Sequence, residues 1–263
     1  MSSFAINFLH VSNLCCNLQP SIEYVMTRLS VNINKIATLR NSRGGKIPNV
    51  LDAAINCQKF GAEGITVHPR PDERHVTRQD VYQIKPYITT ELNIEGYPSE
   101  DFLKLVTEVK ANQVTLVPDE PGQITSDHGW DTVKHESFLK EVIGRLQAEG
   151  IRTSVFVDAN LYAIEGAGRI GTNRIELYTE PYASLYPTDA DKAIAPFVEA
   201  AKLAKELNLG INAGHDLSLK NLKFLIDKIP YIEEVSIGHA LIADALYLGL
   251  RNTIHEYLDC IRP

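Results

Sequence analysis

Short apolar runs alternate with longer amphipathic stretches along nearly the whole chain. Leu29–Asn34, Gly64–Pro69, Glu91–Gly96, Gln113–Pro118, Arg152–Asp158, Arg174–Thr179, Gly210–Gly214 and Glu233–Gly238 are short and rich in β-branched residues, which predicts eight strands. Between them, apolar residues recur at i, i+3 and i+4. This spacing predicts helices, most clearly over Val50–Phe60, Phe102–Val109, Phe138–Leu146, Ile194–Leu207 and Leu222–Ile229. Gly61, Gly150, Gly171 and Gly210 read as helix C-caps ahead of the next strand. Eight strand–helix units predict a closed (β/α)8 barrel. The runs ITV, VTLV and SVFV are expected to be apolar on both faces, between covering helices and a filled barrel. An open doubly wound sheet is the rival, but the stretch after the first strand, NINKIATLR, lacks the Gly-rich turn G-x-G-x-x-G.

Residues 1–25 share none of this pattern. They read as an N-terminal extension, disordered or translated from upstream of a start at Met26, ahead of a single barrel domain over residues 26–263. The 263 residues are 44% hydrophobic and 22% charged, the balance of a soluble globular chain with a sizeable core. No apolar run approaches the roughly 20 residues that span a bilayer. A net charge of −7 argues against a general nucleic-acid surface. Cys15, Cys16, Cys57 and Cys260 form no CxxC pair, and no basic residue precedes Arg28 as a secretory signal requires. A reduced, cytoplasmic chain is the expectation.

In a barrel of this kind the chemistry sits at the C-terminal ends of the strands. Those ends carry Asn32, Asn34 and Lys35, then His68 and Arg70, then Glu95, Asp119, Asp158 and Glu176. The seventh and eighth add Asn212, Gly214, His215, Asp216, Gly238 and His239. Of eight histidines, His68, His215 and His239 fall at strand ends, with His75 and His128 in loops just beyond. A single such His is more often structural. Three on one rim beside Glu95 match what repeated proton transfer near neutral pH needs.

Charge is also segregated. Residues 24–51 hold Arg28, Lys35, Arg40, Arg43 and Lys46 and contain no Asp or Glu. A solvated basic patch is the plain reading of any one of these. Arg40 and Arg43 beside Gly44 and Gly45, however, combine charge with mobility, as a loop closing over a phosphate would. Gly214 and Gly238 mark places where backbone must come close to something, and loops after the last two strands of such barrels often bind phosphate at a helix N-terminus. A helix over Leu241–Ile261 is expected there, with Tyr247, Leu248 and Tyr257 as exposed-looking residues. Two anion grips flanking His68, Glu95 and His215 suit acid–base chemistry on phosphorylated ketones. No cluster has metal-ligand spacing, so no metal is invoked.

VNINKIATLRNSRGG, GAEGITVHPRPDERH, LNIEG, LVPDEPGQITSDHGW, INAGHDL and SIGHALIADAL, in that order, resemble the pyridoxine 5′-phosphate synthase family from about Arg28 to about Ile261. The resemblance implies a (β/α)8 barrel assembled as a homo-octamer, with no cofactor. It also implies condensation of 3-amino-2-oxopropyl phosphate with 1-deoxy-D-xylulose 5-phosphate to pyridoxine 5′-phosphate, phosphate and water. By motif, His68 and Glu95 resemble general bases, His215 a general acid, and Glu176 a carboxylate that stabilises the transition state. Asn32, Arg43, Gly238 and His239 resemble contacts to the amino-ketone phosphate. Arg70, His75 and Thr125 resemble contacts to the deoxyxylulose phosphate, and Asp216 holds another ligand-contacting position. Two departures stand out. Many members read Asp-His where this chain has Asn34-Lys35, a pair expected to touch the deoxyxylulose phosphate, and Gly is frequent where it has Asp216. Another barrel phosphosugar isomerase or aldolase, and a non-catalytic phosphate-ligand protein, remain the alternatives.

Overall fold

The computed structural model describes residues 26–119 and 126–262. The extension read over residues 1–25, and Thr125, lie outside the described residues. From Arg28 the chain alternates strand and helix: β1 (Arg28–Asn32), α1 (Asn34–Asn41), α2 (Val50–Lys59), β2 (Gly64–Val67), α3 (Arg78–Ile84), β3 (Glu91–Gly96), α4 (Glu100–Glu108) and β4 (Gln113–Leu116). It continues with α5 (Glu136–Ala148), β5 (Arg152–Val157), α6 (Leu161–Ile170), β6 (Arg174–Tyr178), α7 (Glu180–Leu185), α8 (Ala190–Glu206), β7 (Gly210–Gly214), α9 (Leu222–Lys228), β8 (Glu234–Ile237), α10 (His239–Leu248) and α11 (Leu250–Ile261). The eight strands pair in chain order, all parallel, and β1 closes on β8 through Leu29↔Val235 and Val31↔Ile237. The expected (β/α)8 barrel is the observed one.

The alternation along each strand decides where the core lies. Leu29, Val31, Ile65, Val67, Leu92, Ile94, Val114, Leu116, Ile175 and Leu177 are fully buried in the main hydrophobic cluster, with the apolar stripes of the surrounding helices. Each such side chain contributes about 1.5–3 kcal/mol by leaving water. The other face is mostly polar, with Val117, Phe156 and Tyr178 as a small apolar cluster near the mouth, which corrects the expectation of strands apolar on both sides. Ser30 bonds Thr66 at 2.7 Å, Thr115 bonds Asn93 at 3.1 Å, and Gln113 on β4 reaches Glu234 on the opposite strand β8 at 3.4 Å. At the N-terminal end, Glu91 takes both Arg28 and Arg152, and Arg174 pairs with Glu233. Thr66, Thr115 and Ser154 are inward polar members of ITV, VTLV and SVFV; their small size lets them pass for apolar in a short run.

Three further readings are corrected. The stretch after β1 is not a mobile loop throughout. Residues Asn34–Asn41 form α1, and Arg40 is tied to Asp80 at 2.5 Å and to the His75 carbonyl at 3.2 Å. The last helix is not continuous: Gly249, at φ +77°, separates α10 from α11. Tyr257 is fully buried and donates to the Asp244 carboxylate at 2.9 Å, whereas Tyr247 is 90% exposed as expected. Gly61, Gly150 and Gly171 do cap helices at positive φ, but Gly210 opens β7 and Asn208, at φ +57°, makes that turn instead.

Candidate active site

The strand ends converge on a cavity of about 720 Å³ at the C-terminal mouth of the barrel. Its wall includes Asn32, Asn34, Lys35, His68, Arg70, His75, Glu95, Glu176, His215, Asp216, Gly238 and His239. Of the site residues read from the sequence, Thr125 is not described. Arg43 is exposed and absent from this wall, because α1 carries the chain away from the mouth before the Ser42–Lys46 turn begins. His128, read just beyond the fourth strand, lines a neighbouring cavity of about 1090 Å³ that shares His68 and Arg70 and is walled by the stacked Tyr97 and Trp130.

His68 follows β2 and is buried, with its Nδ1 3.8 Å from Glu95 Oε2. Its backbone N–H donates to Asn34 Oδ1 at 2.9 Å, so Asn34 ties the start of α1 to the end of β2. The oxygen involved exists in Asp and Asn alike, so the departure at Asn34 keeps this tie. Asn32 accepts the Asn34 N–H on Oδ1 at 3.1 Å and donates to Glu95 from Nδ2 at 3.4 Å. Glu176, pointing inward from β6, accepts from Thr115 Oγ1 at 3.3 Å.

Burial sets the protonation of this floor. It pushes Glu95 well above the usual carboxylate range, and the nearby Glu176 and Asp119 charges add to the push. Burial lowers His68 well below the usual imidazole value, with help from Arg70. Glu176 is raised to about 8 by burial and by Glu234. Near neutral pH the floor therefore holds protonated carboxyls beside a neutral imidazole. The rim is cationic: Lys35, Arg70 and Arg74 line it, and burial followed by Arg70 and Arg74 lowers His75 to about 4. Arg70 is itself buried and paired with Asp119, which also accepts from Ser126 at 2.8 Å. Uncharged carboxyls below a cationic rim suit a doubly anionic ligand set, since floor charge would repel it.

Next to the end of β1, which pairs with β8, Gly238 caps α10, and Gly238, His239 and Ala240 line the cavity at its N-terminus, where backbone amides favour an anion. This end adjoins Lys35 and does not face it across the mouth, which corrects the expectation of two flanking grips. Both rim glycines answer to close side chains. A Cβ on Gly214 would stand 2.3 Å from Glu176 Oε1, and one on Gly238 3.1 Å from Asn32 Cβ. Sequence reasoning passed over Thr179. It is fully buried at the end of β6, and its Oγ1 meets the Gly214 carbonyl at 2.8 Å and the His215 carbonyl at 2.5 Å. Its one signal was a hydroxyl closing a buried strand.

The raised carboxyl of Glu176 has a consequence for stability. Between its ordinary 4.5 and about 8, the folded chain keeps a proton that the unfolded chain has released. Its contribution therefore falls as pH rises through that window. Glu176→Gln has no such proton to lose. In urea unfolding, the stability of the variant relative to the parent is expected to improve from about pH 5 to about pH 8; a difference independent of pH contradicts the assignment.

Among the described residues, no group of three or more His, Cys, Asp or Glu is arranged to hold a metal ion, and no helix is long and apolar enough to cross a membrane. A closed parallel barrel with imidazoles and carboxyls beside a cationic rim and a helix N-terminus at its C-terminal mouth has the architecture of a (β/α)8-barrel enzyme. The comparisons narrow the class. The family described as Pyridoxal phosphate biosynthesis protein PdxJ matches residues 29–263, and the chain belongs to that family. Pyridoxine 5′-phosphate synthase of Bacteroides fragilis (strain YCH46) is 62% identical over 237 residues, covering 90% of this chain and all of the relative. That of Porphyromonas gingivalis (strain ATCC 33277) is 57% identical over 234 residues, covering 89% of this chain and 98% of the relative. Among solved structures, tryptophan synthase from M. tuberculosis superposes with a TM-score of 0.62 at 11% identity, covering 90% of this chain and 94% of that one, a likeness of fold alone.

Proposed function

We propose that the chain is a pyridoxine 5′-phosphate synthase, condensing 3-amino-2-oxopropyl phosphate with 1-deoxy-D-xylulose 5-phosphate. The single observation that carries this reading is the meeting of His68, Glu95 and His215 on one cavity wall, together with Arg70, Lys35 and the α10 N-terminus. The amine of one substrate attacks the ketone of the other, and loss of water gives an imine. Neutral His68 is the form that accepts a proton, so it takes one from the carbon beside the imine to give an enamine. Glu95, whose carboxyl burial raises well above the usual carboxylate range, is the proton donor and acceptor beside it. His215 protonates the leaving group as the deoxyxylulose-derived phosphate departs as inorganic phosphate. Ring closure and loss of water complete an aromatic pyridine.

The activity named for the relatives is the same one. Small phosphorylated molecules are its partners in this reading; nucleic acid and membrane are not. It acts in the cytoplasm as a homo-octamer, for which Leu246 and Tyr247 on α10, 72% and 90% exposed, offer an apolar contact. The test is to supply the purified chain with both precursors and detect product by fluorescence and mass. Pyridoxine 5′-phosphate formed only when both are present is expected. No product under any buffer condition overturns the reading.

A further inference from the structure

The turn that carries His215 has an unusual backbone. His215 sits at φ +85° and Asp216 at φ +59°, two consecutive non-glycine residues in the left-handed region. Asp tolerates that region better than most residues, yet glycine would hold it at lower cost. Such strain persists where the surroundings over-determine it. Here they do: Thr179 Oγ1 donates to the His215 carbonyl at 2.5 Å, and Asn221 Nδ2 to the Asp216 carbonyl at 3.3 Å. A side chain kept at such a position needs a task, and Asp216 has one. Its Oδ2 lies 2.7 Å from His215 Nδ1.

We propose that Asp216 is a positioning residue, whose carboxylate holds the His215 Nδ1–H and so presents Nε2 as the nitrogen that exchanges protons with the substrate. This rests on the acid role read for His215. A carboxylate on one ring nitrogen fixes both the tautomer and the tilt of an imidazole. The His215 bond keeps Asp216 below the usual carboxylate range, so it stays ionised and able to accept. Among the described residues, the charged and titratable groups around the pair include Tyr178 of β6, whose ring meets the imidazole edge-on at 5.1 Å, and Lys35 of α1 and His239 of α10, whose charges act on Asp216. Asp216 and Lys35 are thereby read together: the carboxylate serves the imidazole, and the ammonium offsets its charge at an anion-binding rim.

The test compares Asp216→Asn and Asp216→Gly in the full-length enzyme. Nitrogen NMR of the ligand-free protein reads the His215 tautomer. The parent is expected to show Nδ1–H, and both variants are expected to lose that preference. With both substrates, kcat is expected to fall about 10–100-fold, with KM changed by less than about twofold. Asp216→Gly, freed of backbone strain, is expected to melt no lower than the parent while still turning over slowly. An unchanged tautomer overturns the proposal, and so does a loss confined to KM, which would make Asp216 a substrate contact. The tautomer needs no turnover, so an inactive parent with the expected tautomer would fault the proposed function and leave the Asp216–His215 coupling standing.

Discussion

Replacing His68 with Asn is expected to lower kcat by about 10²–10⁴-fold, the usual worth of a positioned general acid or base. The reason is specific to its surroundings. Burial and Arg70 keep the imidazole neutral, the only form able to take a proton from carbon. Asn can neither take nor return one. The fold has little to lose, because the backbone N–H of residue 68 would still donate to Asn34 Oδ1, the tie that joins β2 to α1. Steady-state product formation beside near-UV circular dichroism checks this. Turnover within about tenfold of the parent, in a folded protein, would remove His68 from the proton-transfer set.

The second large effect is expected at Gly214. Its added methyl would lie 2.3 Å from Glu176 Oε1 and 3.3 Å from the Ser236 carbonyl. β7 is held by β6 through Tyr178↔Gly214 and by β8 through Gly214↔Ser236, so the backbone cannot move aside. Glu176 must swing away and lose its bond from Thr115. Gly214→Ala is therefore expected to destabilise by about 1–3 kcal/mol, as overpacking does, and to depress turnover through a displaced carboxyl. Gly144→Ala is the control. Gly144 lies exposed within α5, nothing stands within 4 Å of its added carbon, and the change is expected to stabilise by about 0.5–1 kcal/mol. Urea midpoints and kcat of the two variants measure both; equal behaviour of the pair would contradict the crowding argument.

Strand order and the ring helices were legible because apolar spacing is a local property and a barrel leaves little freedom in joining such units. The rim followed from it: once strands are parallel and closed, His68, Glu95, Glu176 and His215 have one end of the molecule to share. Properties set by register or by tertiary ties were not legible. Thr66 and Thr115 point inward only because of the pairing Thr66↔Asn93 and Glu95↔Thr115, and a four-residue run does not reveal that phase. α1 has no apolar stripe strong enough to announce itself, and Arg40 is fixed by Asp80 from another segment. Arg43 drew attention by charge alone, and charge does not say where a turn points. Gly214 and Gly238 were recognised as points of close approach, but the approaching atoms, from Glu176 and Asn32, became visible only across neighbouring strands.

The central claim is that two imidazoles and a carboxyl on one cavity wall carry out the condensation by proton transfer. Phosphate release by His215→Asn, with both substrates saturating, tests it most directly. The account predicts a loss of about 10²–10⁴-fold with the fold intact. Release of phosphate at nearly the parent rate would contradict it.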